Sequence, residues 1–201
     1  MSLARKLRMA SVTKTPLYVD DVFSTYLYTG NGSTQTITNG IDLAGEGGLV
    51  WLKGRTAISG TKNNFLFDTE RGATNYLMSN QTIAEISVST TLTQFNSDGF
   101  SAGSSTFVND SSDDYASWAF RKAPRFFDVV TYTGDGSNPR AIPHELGVAP
   151  GMIVIKCTNA TSGWYVYHRS VDATSPEDYV LYMHLTNARV STTIFGTAPT
   201  D

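Results

Sequence analysis

Short apolar runs alternate with turn-forming segments along almost the whole chain, and the runs have the composition of strands. Tyr18-Val19 and Phe23 to Tyr28 supply the aromatic and β-branched residues that suit a half-buried pleated surface. Thr29-Gly30-Asn31-Gly32-Ser33 is turn-rich, and its Asn-Gly pair between Tyr26-Leu27-Tyr28 and Thr34-Gln35-Thr36-Ile37 predicts a hairpin. Asn39-Gly40 marks the next turn. Leu49-Val50-Trp51-Leu52-Lys53, bounded by Gly47-Gly48 and Gly54, reads as a core strand buried on both faces or nearly so. Phe65-Leu66-Phe67, Tyr76-Leu77-Met78, Ile83 to Val88, Leu92 to Phe95, Gly99-Phe100 and Tyr115 to Phe120 continue the series. About six to eight strands at roughly 8 to 12 residue spacing, with no sustained helical period, predict a sandwich or jelly roll.

The first residues follow another pattern. Leu3 and Leu7 would share one face of a short helix from Ser2 to Met9, a length marginal in isolation. Arg5, Lys6, Arg8 and Lys14 crowd the same stretch, no acidic residue appears before Asp20, and Pro16 forces extended backbone after it. Such a segment is expected to order only against a partner.

The opening of the strand series recurs. Tyr28-Thr29-Gly30-Asn31-Gly32-Ser33 reappears 104 positions later as Tyr132-Thr133-Gly134-Asp135-Gly136-Ser137. Leu49 to Lys53 aligns with Met152-Ile153-Val154-Ile155-Lys156 at an offset of 103, and Phe65-Leu66-Phe67-Asp68 aligns more loosely with Tyr165-Val166-Tyr167-His168. Two matches in order at nearly one offset indicate tandem duplication of a whole unit, longer than a solenoid repeat. Residues 1–17 are then an N-terminal segment, 18–123 a first β-sandwich module and 124–201 a second. The second has no counterpart of Asp98-Gly99-Phe100 or of Trp118-Ala119-Phe120, and is expected to be C-terminally incomplete, with Trp51 and Val154 at equivalent core positions. Its stability would then need further strands, because an unfilled sheet edge invites pairing with another chain.

Composition narrows the chemistry. The chain is 40% hydrophobic and only 16% charged, with Ser, Thr, Asn and Gly between the apolar runs, which favours strands and tight turns over long helices. A net charge of −3 argues against nucleic acid as the main partner. Cys157 is the sole cysteine, so neither an intrachain disulfide nor a cysteine-based zinc site can form. No stretch reaches the roughly 18 apolar residues of a membrane span, so no membrane insertion is expected. His144, His168 and His184 show no metal-ligand spacing, no Gly-x-Ser-x-Gly elbow occurs, and Asp68 with Glu70 is ordinary surface chemistry, so neither a catalytic residue, a metal nor a cofactor is expected.

Four groups of residues remain as candidates. The basic and apolar start, Leu3, Arg5, Lys6, Leu7 and Arg8, could anchor the chain to a partner. Asn109-Asp110-Ser111-Ser112-Asp113-Asp114 concentrates oxygen donors, and Asp110, Asp113 and Asp114 are candidates for a hard cation, although EF-hand spacing is lacking and a solvated turn is the simpler reading. Trp164, Tyr165 and Tyr167 follow Thr161-Ser162-Gly163 and could stack on a sugar, against core packing. Asp68-Thr69-Glu70-Arg71-Gly72 reads first as a charged network fixing a turn, and second as a receptor contact.

Val19 to Tyr28, Asn39 to Trp51, Phe67-Asp68-Thr69-Glu70-Arg71-Gly72 and Phe95-Asn96-Ser97-Asp98-Gly99-Phe100 closely resemble a module of tail-fibre-like and other tail-associated bacteriophage proteins, especially marine and cyanobacterial ones. The second unit resembles a variant of the same module, with Leu146-Gly147-Val148-Ala149-Pro150 leading into its core strand. The resemblance covers roughly residues 18 to 201. It implies a virion protein of the tail that reaches towards the host surface, commonly a homotrimer, with residues 1–17 suited to virion anchoring.

The sequence therefore leads to an expectation of an all-β, non-enzymatic protein of two tandem β-sandwich modules, jelly-roll or lectin-like. It would be the proximal part of a phage tail fibre, bound to other tail or connector proteins. The rival expectations are a carbohydrate-binding module contacting host surface glycans and a baseplate or head-decoration protein.

Overall fold

The computed structural model describes residues 17–56, 63–137 and 140–201. Among them the protein is almost wholly β, as its alternation of short apolar runs and turn residues dictates. Nine strands belong to residues 23–121: β1 (Phe23–Thr29), β2 (Gln35–Thr38), β3 (Gly48–Gly54), β4 (Asn64–Asp68), β5 (Asn75–Met78), β6 (Ile86–Ser87), β7 (Leu92–Asn96), β8 (Gly99–Ala102) and β9 (Asp114–Arg121). One short helix, α1 (Thr106–Asn109), precedes β9, with Ser105 as its N-cap. Four more strands follow: β10 (Met152–Lys156), β11 (Trp164–His168), β12 (Tyr179–Tyr182) and β13 (Val190–Ser191).

The first nine strands form a sandwich. A six-stranded antiparallel sheet, β1-β9-β3-β4-β5-β6, faces a three-stranded one, β2-β8-β7. Period-two alternation puts Val50, Leu52, Phe65 and Phe67 on the inner face of the larger sheet, and Ile37, Leu92, Phe100 and Ala102 meet them from the smaller. Each of these eight is at most 3% exposed, so this is the dry centre that supplies most of the hydrophobic stabilisation.

The hairpin expected at Asn31-Gly32 does not form. β1 pairs with β9 and β2 with β8, so the chain crosses from one sheet to the other at that turn. The cause is a side chain that local turn chemistry cannot reveal. Asn109, fully buried at the end of α1, accepts from Asn31 N at 3.0 Å and from Gln35 Nε2 at 2.5 Å, and donates to Gly103 O at 2.8 Å and to Ser33 O. Gly30 lies so close to this corner that a Cβ there would come within 2.0 Å of Asp110 O.

β10 to β13 form a separate four-stranded sheet in the order β10-β11-β12-β13. Its pairing repeats that of β3-β4-β5-β6 position for position. Trp51 opposes Leu66 as Val154 opposes Val166; Phe65 opposes Met78 as Tyr165 opposes Tyr182; Tyr76 opposes Ile86 as Val180 opposes Val190. Even the bond after the fourth strand recurs, Val88 N to Thr74 O at 3.0 Å and Thr192 N to Asp178 O at 2.8 Å. Trp51 and Val154 are thus equivalent in register, but the expectation that both sit in the core fails. The alternation points Val50 and Leu52 inward, leaving Trp51 half-buried on the outer face against Trp118 and Val154 38% exposed.

Candidate functional site

Trp164 occupies the seam between the two sheets. At the start of β11 it is 3% exposed and packs on Leu66 and Leu77, which point out of the back of the six-stranded sheet. Its indole N–H donates to Met78 O at 3.0 Å and Gln81 O at 2.9 Å, and its backbone N donates to His184 Nδ1 at 3.2 Å. The β10–β11 loop adds two backbone bonds to the segment after β5: Glu85 N donates to Thr158 O at 2.7 Å, and Ser162 N to Thr82 O at 2.8 Å. An aromatic ring with both its apolar body and its donor satisfied makes a fixed joint. The sequence held a signal for it: Phe65-Leu66-Phe67 and Tyr76-Leu77-Met78 are apolar at three successive positions, so both faces of β4 and β5 need cover.

Core packing, the simpler of the two readings, describes Trp164, and the possible glycan contacts Trp164, Tyr165 and Tyr167 do not share one face. Successive strand residues point to opposite faces, so Trp164 and Val166 turn to the seam while Tyr165 and Tyr167 turn the other way. Tyr167 is also buried, against Phe195 at 5.5 Å, and Tyr165 packs on Tyr182 at 5.6 Å. The three rings do not line one groove.

The Asp110–Asp114 loop is built into the sandwich corner. Asp113 is fully buried, its backbone O accepting from Gly30 N at 2.7 Å, and Asp114 Oδ1 accepts from Thr29 Oγ1 at 2.9 Å. Tyr115 Oη accepts from Asp110 N at 2.8 Å. Among the described residues, no three His, Cys, Asp or Glu side chains gather as metal ligands, so Asp110, Asp113 and Asp114 do not converge on a cation position. The oxygen-rich sequence serves the crossover; sequence reading took Asn109 as one more donor of the loop and missed that it clamps the turn.

The charged motif after β4 is a buried network. Arg71 Nε meets Asp68 Oδ2 at 2.6 Å, Nη1 meets Glu85 Oε2 at 2.7 Å, and Nη2 donates to Leu66 O at 3.0 Å. The Arg71 and Asp68 side chains are 8% and 5% exposed, which leaves neither available to a receptor and suits a fixed turn. Glu70 instead pairs with Lys122 at 2.9 Å, and Lys122 reaches Asp128 at 3.3 Å, tying the end of the sandwich to the linking segment. The hydrogen bond to Glu70, helped by Asp128, holds the Lys122 ammonium above its ordinary pKa against partial burial. These three residues border an open hollow of about 290 Å³ together with Val130, Pro143 and His144.

Cys157 is half-buried, with Sγ 3.2 Å from Asn159 Oδ1, and no histidine shares that contact. Leu3, Arg5, Lys6, Leu7 and Arg8 lie outside the described residues. No described helix is long and apolar enough to cross a membrane.

No curated protein and no solved structure matches this chain. Residues 19–201, spanning the sandwich, the seam and the second sheet together, match the family described as a domain of unknown function (DUF7483), and the chain belongs to that family.

Proposed function

We propose that the protein is a non-enzymatic structural component of a phage virion, the proximal part of a tail fibre, which docks on the tail through residues 1–17. The observation that carries this reading is the seam. A chain that repeats one strand pairing, and locks the repeat onto the back of the first sheet through Trp164, is organised to hold a fixed geometry. The module resemblance supplies the tail location and the expected homotrimer. The glycan-binding alternative loses support because its proposed platform is divided between two faces, one of them buried.

Deleting residues 1–17 tests the reading. Virions produced with the truncated protein are expected to lack it while the truncated chain still folds; normal incorporation would overturn the docking role. A glycan array with the full chain is expected to be blank, and a specific saturable signal would favour the lectin reading. Cryo-electron microscopy of intact particles should place the chain on the tail; density on the capsid or baseplate would assign it there instead.

A further inference from the structure

We infer that the outer edge of β1 is an interface between two copies of this chain, joined strand to strand about a two-fold axis at Thr25, with each copy's Tyr26 seated in a hollow of the other. β1 ends the six-stranded sheet and pairs with β9 alone. Arg121 N donates to Val22 O at 2.8 Å and Gly30 N to Asp113 O at 2.7 Å, so the even-numbered residues from Val22 to Gly30 turn their backbone groups to β9 and its flanks. The N–H and C=O groups of Phe23, Thr25 and Leu27 therefore face outward, and no described group meets them. Sheet edges are usually blunted by a charge, a proline or a bulge. Phe23–Thr29 has none of these, and its pairing with β9 runs without a shift, whereas edge strand β7 is bulged between Leu92 and Gln94 and edge strand β6 has two residues.

Side chains set the register. Thr29 O already accepts from Gln35 Nε2 at 3.2 Å, which stops the free ladder at Leu27 and centres it on Thr25. A two-fold axis there pairs Thr25 with Thr25 and Phe23 with Leu27, closing about six main-chain hydrogen bonds. Leu27, 61% exposed on the outer face, gains the aromatic ring of the second copy's Phe23. On the inner face the same register sets Tyr26 opposite Ser24. Ser24 borders a hollow of about 340 Å³ at the rim of the sandwich, shared with Val19, Asp20, Phe23, Thr25 and Asn39. Tyr26 is 39% exposed on the side of β1 that buries Tyr28, and Asn39 Nδ2 is buried without an acceptor. A phenol entering the hollow from the second copy offers that amide an oxygen and the Asp20 carboxylate an O–H.

Self-complementarity favours a second copy over an unrelated strand. Tyr26 and the Ser24 side of the hollow stand two positions apart on one face of one strand, so a single two-fold axis fills both hollows at once. Phe23–Thr29 carries no charge, so the strand meets no like-charge repulsion from its own image. The contact is independent of the tail-fibre reading. Alone it gives a dimer, and together with the expected three-fold it gives a hexamer.

The test uses the full 201-residue chain in analytical ultracentrifugation and residue-resolved amide exchange. A dimer or hexamer is expected, with the Phe23, Thr25 and Leu27 amides protected as well as those of Ser24, Tyr26 and Tyr28. Thr25→Pro removes only an outward N–H, so a cooperative melt should remain while association weakens at least about tenfold and Phe23 and Leu27 exchange freely. Tyr26→Ala touches no main-chain rung and should weaken association to a similar extent, Tyr26→Phe less, and Val190→Lys on β13 not at all. A monomer, an isolated trimer, or an assembly indifferent to either Thr25→Pro or Tyr26→Ala would overturn the proposal. So would protected Phe23 and Leu27 amides in a monomer, which would give the edge to residues 1–16 of the same chain.

Discussion

Tyr28 to Ser33 and Tyr132 to Ser137 differ at one residue, Asn31 against Asp135, and both close the same turn. Asn31 Oδ1 accepts from Ser33 N at 2.8 Å and Asp135 Oδ1 from Ser137 N at 2.9 Å; Gly32 and Gly136 take φ of 70° and 79°. Beyond the turn the two segments diverge. Tyr28 belongs to a seven-residue strand, stacks on Tyr115 at 5.1 Å and donates to Val108 O at 2.6 Å, whereas Tyr132 is exposed and lies under Arg140 at 5.5 Å. The side-chain-to-backbone bond is local and travels with the sequence. The strand does not: extended backbone needs a neighbour to satisfy its polar groups, and β9 supplies one to the first segment alone.

Breaking the joint between the two regions should have the largest effect. Trp164→Ala removes the ring from between the sheets and strands the carbonyls of Met78 and Gln81, so a loss of about 3 to 5 kcal/mol is expected in denaturant melts. A loss below about 1 kcal/mol would mean that the second sheet is held elsewhere.

Next in size is Arg71→Ala, which leaves the buried Asp68 without its cation and should cost about 3 kcal/mol. The comparison sharpens here, because Arg189, 104 positions after Glu85, pairs with Asp172 at 2.7 Å and reverses the sense of the Arg71–Glu85 pair. That pair is more exposed, at 42% and 22%, so Arg189→Ala should cost less than about 1 kcal/mol.

Asn109→Ala should cost about 2 kcal/mol by releasing buried backbone groups of the crossover. Hydrogen exchange should then rise at Asn31 and Gln35 but not at Ser137, whose turn has no such clamp. Equal exchange at the two turns would show that the local bond suffices.

The smallest effect is expected at Tyr28→Phe, about 1 kcal/mol for the lost bond to Val108 O. Tyr132→Phe should be silent. Burial first, and then Tyr115, pushes the Tyr28 phenol pKa up, so the folded state favours the neutral ring. This contribution is fully present below the unfolded value of about 10 and is lost as pH rises past it. Alkaline melts of Tyr28→Phe should therefore fall less steeply above about pH 10 than those of the parent.

The all-β class, most strand positions and the turns were legible because they rest on period-two alternation and on Asn, Asp and Gly chemistry, both of short range. The long-range partners were not. Asn31-Gly32 carries every local mark of a hairpin, yet its outcome is decided by Asn109, 78 positions away. Core packing was the simpler reading of Trp164, but its neighbours there, Leu66 and Leu77, announced themselves only as apolar positions in excess of what one sheet face requires. Ile83 to Val88 looked uniformly strand-like, but only Ile86–Ser87 pairs, where Asn75 and Tyr76 come within reach.

The ladder between β1 and β9 also fixes how the sandwich answers a pull. Phe23 stands opposite Phe120, and Val22 O accepts from Arg121 N at 2.8 Å, so the backbone enters and leaves the sandwich side by side. Tension applied at those two points loads the rungs one after another, from Phe23 inward, instead of shearing all seven pairs at once. A unit tethered this way opens like a zipper and yields at a lower force than one loaded in shear.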